Sequence, residues 1–522
     1  MATEANAVIQ QTTSRKAESG PVAQKTDFLS GNEAAAKAAS DIQFHVMGYF
    51  PITPSTEVAE TLSKMQADGE HDIMMVPADG EHGAAGICYG ASLGGGRVLN
   101  ATSSQGLLFA LEQLPVQSGT RVPMVLNVAT RAVSGPLDIR CDHSDIYFAL
   151  NTGWIILMAR EPQAVYDMNI AAIRIGEHAD VRLPVIVAYD GFFTSHQKRR
   201  VETVTDKEVL KEFLGESEMP YTALDPRKPI TIGPYMNDPD LINNKKQQSL
   251  AMEAARKVIP EVFSELEQLT GRKYAVLDRY RMEDAEAAVV LLNSAAEIAK
   301  EVADRLRDEG RKVGVLSLNV LRPFPADLVR DALKNVKAIV IGDRADSYGA
   351  DGGNLSMEVR AAIQLDPDNQ TRVATRIYGL GGKDFDDDDA ETFFRLALDG
   401  AEKGAFEETF AYHGTFAGTP ELKFAEGLLP IETAEVSRGM AKVTPTEETG
   451  KLDVELKPLW AMAEVPNRIA PGHGACPGCG AFPVLHQVFS VLEGDVVVLF
   501  QTGCAMVVTT GYPKTAHRVT YI

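Results

Sequence analysis

The segment Pro123-Met-Val-Leu-Asn-Val128 is a short apolar run of the kind that forms a strand buried on both faces of a sheet. A second such run, Leu183-Pro-Val-Ile-Val-Ala188, follows it, and residues 164–175 between the two have the periodicity of a helix. Strands that alternate with helices predict a parallel sheet covered by helices on both faces. We therefore predict an α/β domain over residues 27–235.

The same alternation returns after a polar, turn-rich segment. Residues 235–248 are predicted to form a linker, and the helix expected over residues 249–270 should kink or divide at Pro260. The domain after residues 236–273 is predicted to be a second α/β domain over residues 274–403, because apolar runs and a helical segment alternate again at 287–292, 295–309, 312–318 and 337–342.

The two ends of the chain have a different composition. Residues 1–26 are rich in Ala, Thr, Ser and Gln and are predicted to form a disordered leader. Residues 404–456 have weak periodicity and are interpreted as a crossover segment. Residues 457–522 contain one helical and two strand-like segments, so we expect an incomplete third α/β domain there.

Bulk composition excludes several classes of partner. The 522 residues carry a net charge of −21, which argues against nucleic acid or an anionic membrane as the main partner. No run approaches the ~18 uninterrupted apolar residues that a membrane helix needs. Five cysteines in a chain of this length favour a reduced compartment, so a cytoplasmic protein is expected.

Glu81 opens the most informative segment, Glu81-His-Gly-Ala-Ala-Gly-Ile-Cys-Tyr-Gly-Ala-Ser-Leu-Gly-Gly-Gly96. Taken alone, a carboxylate before a helix of small residues is adequately explained by the helix dipole. A set of further motifs surrounds it in a fixed order, namely Gly31-Asn-Glu33, Pro51-Ile-Thr-Pro-Ser-Thr56, Ser104-Gln-Gly106, Thr130-Arg-Ala132, Asp142-His-Ser-Asp145 and Asp190-Gly-Phe-Phe-Thr-Ser-His196. Each of these motifs is weak, whereas the ordered set is specific.

The ordered set resembles the pyruvate:ferredoxin oxidoreductase family, whose members are thiamine-diphosphate-dependent 2-oxoacid:acceptor oxidoreductases. The resemblance covers residues 28–522. It continues through Leu321-Arg-Pro-Phe-Pro325, typical of the family's transketolase-C-like second domain. It ends with Cys476-Pro-Gly-Cys479 and Thr502-Gly-Cys504, which match the start of the diphosphate-binding domain. The resemblance implies a multi-domain α/β fold made of a pyrimidine-binding domain, the second domain and a partial third.

The resemblance also implies roles for particular side chains. Glu81 matches the glutamate that contacts the aminopyrimidine ring of the cofactor and promotes loss of its C2 proton. Arg131 matches the arginine that binds the substrate carboxylate, for which a guanidinium fork is well suited. Thr53 matches a hydroxyl donor to the substrate, and Gly503 is placed beside the cofactor. Without the resemblance, Thr53 would be interpreted as part of a turn and Arg131 as a structural or surface residue.

Cys476, Cys479 and Cys504 resemble ligands of the family's [4Fe–4S] cluster, although a lone Cys-Xaa-Xaa-Cys is also typical of zinc and thioredoxin-like sites. Four cysteine ligands are expected and three are found. The Gly-Asp-Gly motif that holds Mg²⁺ and the diphosphate in relatives has no equivalent before Ile522, so the Mg²⁺ site is expected to be incomplete in this chain. The other residues of this kind are expected to have structural or packing roles: Asp142, His143, Asp145, His196, Cys88 and Cys141.

The predicted function is oxidative decarboxylation of pyruvate with CoA to acetyl-CoA and CO2. Electrons would pass through iron–sulfur centres to ferredoxin or a similar acceptor. One alternative is the same chemistry on another 2-oxoacid, such as an aromatic glyoxylate or indolepyruvate. The other alternative is a non-catalytic or truncated subunit that needs a partner chain. The resemblance implies an oligomer and a further subunit that supplies the rest of the diphosphate-binding domain.

Overall fold

The structure is a computed structural model that describes residues 21–217, 222–415, 441–445, 452–456, 468–469, 475, 477–492, 496–498, 503–509 and 520–521. The chain separates into two units, Met1–Thr415 and Phe416–Ile522. Parallel sheets with helices packed on both faces form the first unit, which confirms the predicted α/β class.

The strands described in the first unit are β1 (Gln24–Leu29), β2 (Val46–Tyr49), β3 (Met74–Pro77), β4 (Val98–Thr102), β5 (Val125–Thr130), β6 (Ile155–Met158), β7 (Val185–Asp190), β8 (Arg199–Val204), β9 (Leu277–Tyr280), β10 (Ala287–Val290), β11 (Val313–Leu318), β12 (Val320–Arg322), β13 (Ala338–Asp343), β14 (Arg372–Ile377) and β15 (Phe410–Tyr412).

The helices described in the same unit are α1 (Gly31–Ile42), α2 (Thr56–Ala67), α3 (Glu81–Leu93), α4 (Ser104–Ala110), α5 (Gln113–Gly119), α6 (Ser144–Phe148), α7 (Pro162–Gly176), α8 (Lys207–Leu214), α9 (Asp240–Thr270), α10 (Asn293–Asp308), α11 (Ala326–Leu333), α12 (Asn354–Gln364) and α13 (Asp387–Lys403). Short 3₁₀ turns follow α6 at Ala149–Asn151 and precede α13 at Leu380–Gly382.

The first sheet has seven strands in the order β12, β6, β7, β5, β4, β2, β3, and all of its pairs are parallel except β12 with β6. Successive side chains of a strand point to opposite faces. In β5, Val125 and Ala129 accordingly pack against the face covered by α1, α7 and α9. Leu126 and Val128 pack against the face covered by α3 to α6. Burial on both faces explains why these strands read as continuous apolar runs.

The second sheet has the order β15, β14, β13, β10, β11, β9, and only β9 pairs antiparallel, with β11. Helices α10 and α13 cover one face. The other face, with α11 and α12, belongs to the same buried apolar cluster as one face of the first sheet. The first and second sheets therefore share a continuous core.

Two strands lie in a different place from the one that the sequence predicts. Val320–Arg322, assigned to the second domain, pairs with β6 at the edge of the first sheet. Phe410–Tyr412, assigned to the crossover segment 404–456, pairs with β14 at the edge of the second. Both strands are three residues long, and too few residues are present to show a period of two.

The predicted leader, residues 1–26, is wrong at its C-terminal end. Residues 24–29 form β1, which pairs antiparallel with β8 from Gln24 opposite Val204 to Leu29 opposite Arg199. The partner strand lies far away in the sequence, so local composition does not reveal the pairing. Residues 1–20 lie outside the described part of the chain.

The long helix α9 also differs from the prediction. It begins at Asp240, within the expected linker, and continues through Pro260 without dividing. A proline inside a helix removes one backbone hydrogen bond and crowds the preceding turn. Here the buried stripe on both sides of Pro260 holds the helix against the first sheet's helices, through Ala255, Val258, Ile259, Val262, Phe263 and Leu266.

In the second unit, β16 (Ala441–Pro445) pairs antiparallel with β17 (Leu452–Leu456), and β18 (Val497–Val498) pairs parallel with β19 (Thr520–Tyr521). Its described helices are α14 (Ala481–Val491) and α15 (Cys504–Thr509). Within the described residues of the whole chain, no helix is long and apolar enough to span a bilayer.

Candidate active site

The predicted site residues of the first domain meet at one edge of the first sheet. Thr53 follows β2, Glu81 follows β3 and Arg131 follows β5, and these strands lie side by side with β4 in parallel. Parallel strands place their carboxyl ends at the same edge, which is where open α/β sheets bind ligands. The order of the strands therefore brings together residues that are up to 78 positions apart in the sequence.

Arg131 connects this group of loops. Its side chain is 2% exposed, and its Nη1 donates to the Thr53 carbonyl at 3.0 Å. Its Nε donates to the Asp138 carbonyl at 3.0 Å. Burial lowers the pKa of the guanidinium, whereas Asp145, Asp138 and Glu81 raise it. Arg131 is thus a fixed cation that contacts the backbone of the Thr53 loop and lies within electrostatic range of Glu81.

Glu81 is the first residue of α3 and is half-buried. Burial raises the pKa of its carboxyl above the usual range, while its own backbone amide and Arg131 oppose that rise. A carboxyl whose pKa lies nearer to neutrality is suited to sharing a proton with a bound group.

Gly106 provides the space that the Glu81 side chain occupies. A Cβ at this position would lie 2.6 Å from Glu81 Oε1 and 2.5 Å from Thr102 Oγ1. Both distances are shorter than a tolerated contact, so a side chain at residue 106 would force the Glu81 carboxyl or the Thr102 hydroxyl to move. The Thr102 hydroxyl is buried and has no hydrogen-bond partner within the described residues. A half-buried carboxyl beside bare backbone fits a ring nitrogen of an aminopyrimidine.

The buried Asp145 side chain connects the loop after β4 to the loop after β5. Its Oδ2 accepts the backbone N–H of Ser104 at 2.8 Å and that of Arg131 at 2.9 Å, and its Oδ1 accepts the N–H of Ile146 at 2.7 Å. Burial raises the pKa of Asp145 to about 8, although these backbone donors oppose the rise. The sequence indicates only a structural role for this residue, and nothing in its motif identifies the two loops it holds.

The Thr53 loop is held by a second set of contacts. Asn32 Nδ2 donates to the Pro54 carbonyl at 2.7 Å, and the Tyr189 hydroxyl donates to Asn32 Oδ1 at 2.9 Å. A Cβ on Gly191 would lie 2.3 Å from the Thr130 carbonyl oxygen and 3.0 Å from Pro54. The Gly31-Asn-Glu and Asp190-Gly motifs therefore place the Thr53 loop, whose own threonine side chain is exposed.

A buried cluster around Asp190 lies beneath the loops. Cys141, His143 and Asp190 offer three possible metal ligand atoms within 4.8 Å of one another. Asp190 already accepts hydrogen bonds from His143 at 2.9 Å, Arg344 Nη1 at 3.1 Å and Asn293 Nδ2 at 3.0 Å. The Arg344 guanidinium supplies the positive charge that balances the Asp190 carboxylate. These contacts indicate an ion-pair cluster between the first and second sheets.

The remaining singled-out residues of the first domain have ordinary partners. His196 Nδ1 lies 2.7 Å from the Ser195 hydroxyl, and its ring stacks on Phe192 with centroids 4.8 Å apart. Cys88 is buried with its Sγ 3.3 Å from the Leu99 carbonyl, and burial raises the pKa of its thiol to about 12. These contacts belong to packing.

Of the three predicted cluster ligands, two fall within the described part of the second unit. Cys479 precedes α14 and is partly exposed, whereas Cys504 begins α15 and is exposed; both are free thiols. Gly503 is exposed beside Cys504. Cys476 lies outside the described residues. Sulfur ligands at these positions are compatible with either a cluster or a metal site.

The fold and the comparisons with known proteins define the class of the chain, which is that of thiamine-diphosphate-dependent 2-oxoacid:ferredoxin oxidoreductases. Residues 37–264 match the family described as "Pyruvate flavodoxin/ferredoxin oxidoreductase, thiamine diP-bdg". Residues 285–390 match "Pyruvate:ferredoxin oxidoreductase core domain II". The chain belongs to the pyruvate:ferredoxin oxidoreductase family.

Individual relatives agree with this assignment. Pyruvate synthase subunit PorA of Thermotoga maritima is 40% identical over 372 residues, which are 71% of this chain and 94% of that protein. The alpha subunit of NADH-dependent phenylglyoxylate dehydrogenase of Aromatoleum evansii is 34% identical over 351 residues, which are 66% of this chain and 84% of that subunit. The solved 2-oxoglutarate:ferredoxin oxidoreductase of Magnetococcus marinus shares the fold, with a TM-score of 0.56 at 18% identity over 72% of this chain and 65% of that one.

Proposed function

We propose that this chain binds pyruvate for oxidative decarboxylation with CoA, which yields acetyl-CoA and CO2 and releases two electrons to ferredoxin or a similar acceptor. The observation that carries the proposal is the meeting of Arg131, Thr53 and Glu81 at one sheet edge. A cation for a carboxylate, a hydroxyl for a carbonyl oxygen and a proton-sharing carboxyl are the groups that a 2-oxoacid reaction of this class needs.

Arg131 binds the substrate carboxylate. Its Nε and Nη1 are held by the Asp138 and Thr53 carbonyls, so the guanidinium is oriented before substrate arrives. The bond to the Thr53 carbonyl also fixes the loop that carries the Thr53 hydroxyl, which donates to the substrate. Preorganised donors of this kind add to catalysis because they need no rearrangement during the reaction.

Glu81 holds a proton at its carboxyl oxygen and shares it with the aminopyrimidine ring. When bound, thiamine diphosphate supplies the nucleophilic carbon and accepts the electron pair left when CO2 departs. The raised pKa of Glu81 suits it to this exchange, and the nearby Arg131 cation keeps the ionised form accessible.

Cys476, Cys479 and Cys504 would hold a [4Fe–4S] cluster, which would supply one-electron transfer to the acceptor, and Gly503 would lie beside the cofactor. Thiolates are the preferred ligands of such clusters, and a fourth ligand has to come from another residue. We further propose that a separate subunit holds the diphosphate and its Mg²⁺ and that the enzyme is an oligomer. The Thermotoga maritima relative is a pyruvate synthase subunit, which supports this assembly.

The second candidate is the same chemistry on a different 2-oxoacid. This alternative is favoured by the phenylglyoxylate dehydrogenase subunit, because a protein named for an aromatic substrate is 34% identical to this chain. Arg131 would bind the carboxylate of either acid. The side chains that surround the remainder of the substrate decide between them.

The test is an anaerobic assay of the complex purified from its native source. Pyruvate should reduce a viologen dye only when CoA is present, and Glu81→Gln should lower the rate at least 100-fold, in keeping with loss of an acid–base group. Glu60→Gln, an exposed glutamate on α2, is the matched control and should keep the full rate. Dye reduction with phenylglyoxylate but not with pyruvate would make an aromatic 2-oxoacid the substrate in place of pyruvate. Full activity of Glu81→Gln would refute the role proposed for Glu81.

A further inference from the structure

Thr102 ends β4, and its hydroxyl is an exception among the buried polar groups around the site. The residue is 1% exposed, and Oγ1 has no hydrogen-bond partner within the described residues. Buried hydroxyls are nearly always paired, because an unpaired one loses its bonds to water without replacement. The neighbouring Ser103 and Ser104 hydroxyls, in contrast, donate to the carbonyls of Thr102 and Ala132.

The position of this hydroxyl relates it to Glu81. Thr102 Oγ1 and Glu81 Oε1 lie 2.5 and 2.6 Å from the same point, the position that a Cβ on Gly106 would occupy. Because residue 106 has no side chain, no Cβ occupies the point that lies close to both the hydroxyl and the carboxyl oxygen. A rotation of either side chain between staggered conformers is enough to change their separation.

Other charged groups near Glu81 already have partners or lie on other sides of it. Arg131 comes from the loop after β5 and is bonded to two carbonyls. Asp145 on α6 accepts three backbone N–H groups. His82, the next residue on α3, contacts Gln113 and Glu112. The Asp79 carboxylate lies against Gly83 on the first turn of α3. Within the described residues, Thr102 is a neutral donor without a partner on the Gly106 side.

We propose that Thr102 is a positioning residue whose hydroxyl, after a rotation of either side chain, donates a hydrogen bond to the Glu81 carboxylate. This inference rests on the proposed function, in which Glu81 shares a proton with the aminopyrimidine ring. A donor of this kind fixes the orientation of the carboxyl and favours its ionised form. The hydrogen bond opposes the rise in the Glu81 pKa that burial causes. Gly106 is needed so that the Thr102 hydroxyl and the Glu81 carboxyl can approach each other.

The test compares Thr102→Val, which keeps the shape and removes the donor, with Thr102→Ser, which keeps the donor. In the native complex, Thr102→Val should lower kcat for pyruvate-dependent dye reduction about tenfold, the effect of losing a bond to a charged group. It should change KM less than twofold and move the acid limb of the kcat profile to higher pH. Thr102→Ser should have the wild-type kcat and the wild-type acid limb, and the exposed Thr392→Val should change neither of them.

A second readout does not depend on turnover. An infrared pH titration of the cofactor-free protein should show the Glu81 carboxyl band, identified by its loss in Glu81→Gln, titrating at higher pH in Thr102→Val than in wild type. An unchanged titration would overturn the proposal even if activity fell, since a packing defect also lowers activity. Equal losses in Thr102→Val and Thr102→Ser would overturn it as well. If wild type does not oxidise any 2-oxoacid, the proposed function fails while this titration still decides the role of Thr102.

Discussion

Single residues at this site act mainly by holding loops in place. Asp145 is the clearest case, because one carboxyl oxygen accepts the backbone N–H of both Ser104 and Arg131. The first residue begins the helix that contains Gly106, and the second is the predicted substrate-binding arginine. The Asp145 carboxyl thus fixes the position of the start of α4 relative to Arg131.

Asp145→Asn should separate this role from the charge of the carboxyl. One of its oxygens becomes an N–H2 group, so one backbone donor loses its acceptor, and unfolding should be easier by about 1–3 kcal/mol at pH 5. The pKa of about 8 in the folded protein lies above the usual 3.8, so the stability that protonated Asp145 contributes is lost as pH rises through that window. Asparagine does not ionise and escapes this loss.

Thermal unfolding of wild type and Asp145→Asn at pH 5, 6.5 and 8 checks the prediction. The difference between the two melting temperatures should shrink as the pH increases. A difference that grows with pH would mean that Asp145 is ionised throughout this range and that the three backbone donors outweigh burial.

At the scale of secondary-structure elements, the first turn of α4 determines whether the Glu81 side chain fits. Gly106→Ala should stabilise an isolated helix by about 0.5–1 kcal/mol. In this protein the new Cβ would lie 2.6 Å from Glu81 Oε1, so the carboxyl has to move. We expect dye reduction to fall at least tenfold while the folded state persists.

Gly90→Ala is the matched control for this change. Gly90 lies on α3, the helix that Glu81 begins, and a Cβ there meets nothing within 4 Å. Circular dichroism and the dye assay on both variants give the comparison. Loss of activity in Gly90→Ala alone, with Gly106→Ala unaffected, would contradict the steric explanation.

The elements themselves were predictable to different degrees. Strands such as β5 and β7 were found from apolar runs, and α7 from its period, because buried parallel strands and amphipathic helices have strong local patterns. The strands β1, β12 and β15 were misassigned, since each is defined by a partner far away in the sequence. The continuity of α9 through Pro260 depends on packing against the first sheet's helices, which no local pattern records.

At the scale of the first unit, the Asp190–Arg344 ion pair joins the two sheets. Both residues are at most 1% exposed, and the Arg344 guanidinium also lies over the ring of Phe193 at 4.6 Å. His143 and Arg344 hold the pKa of Asp190 well below its usual range. Asp190 is therefore ionised when folded, and the stability it contributes at neutral pH is lost as pH falls below the unfolded-state value.

Removing one partner leaves a buried charge without compensation. Asp190→Asn and Arg344→Met should each destabilise the chain by about 3–5 kcal/mol, and the double variant by less than the sum of the two. Thermal unfolding of the four proteins forms the cycle, with the exposed Arg311→Met as a control for loss of an arginine. Additive effects would show that the two residues act independently and that the sheets are joined by the apolar core alone.

The sequence by itself determined the α/β class, the two matched family domains and the motif order that identifies the family, since these depend on local pattern and residue identity. It also singled out Glu81, Arg131 and Thr53 as candidates. Only the tertiary structure decided that Arg131 bonds to the Thr53 loop, that Asp145 holds two loops, and that Glu81 Oε1 and Thr102 Oγ1 both lie next to Gly106. The physical reason is strand order: β2, β3, β4 and β5 become neighbours only when the sheet forms, and their carboxyl ends then bring distant loops into contact.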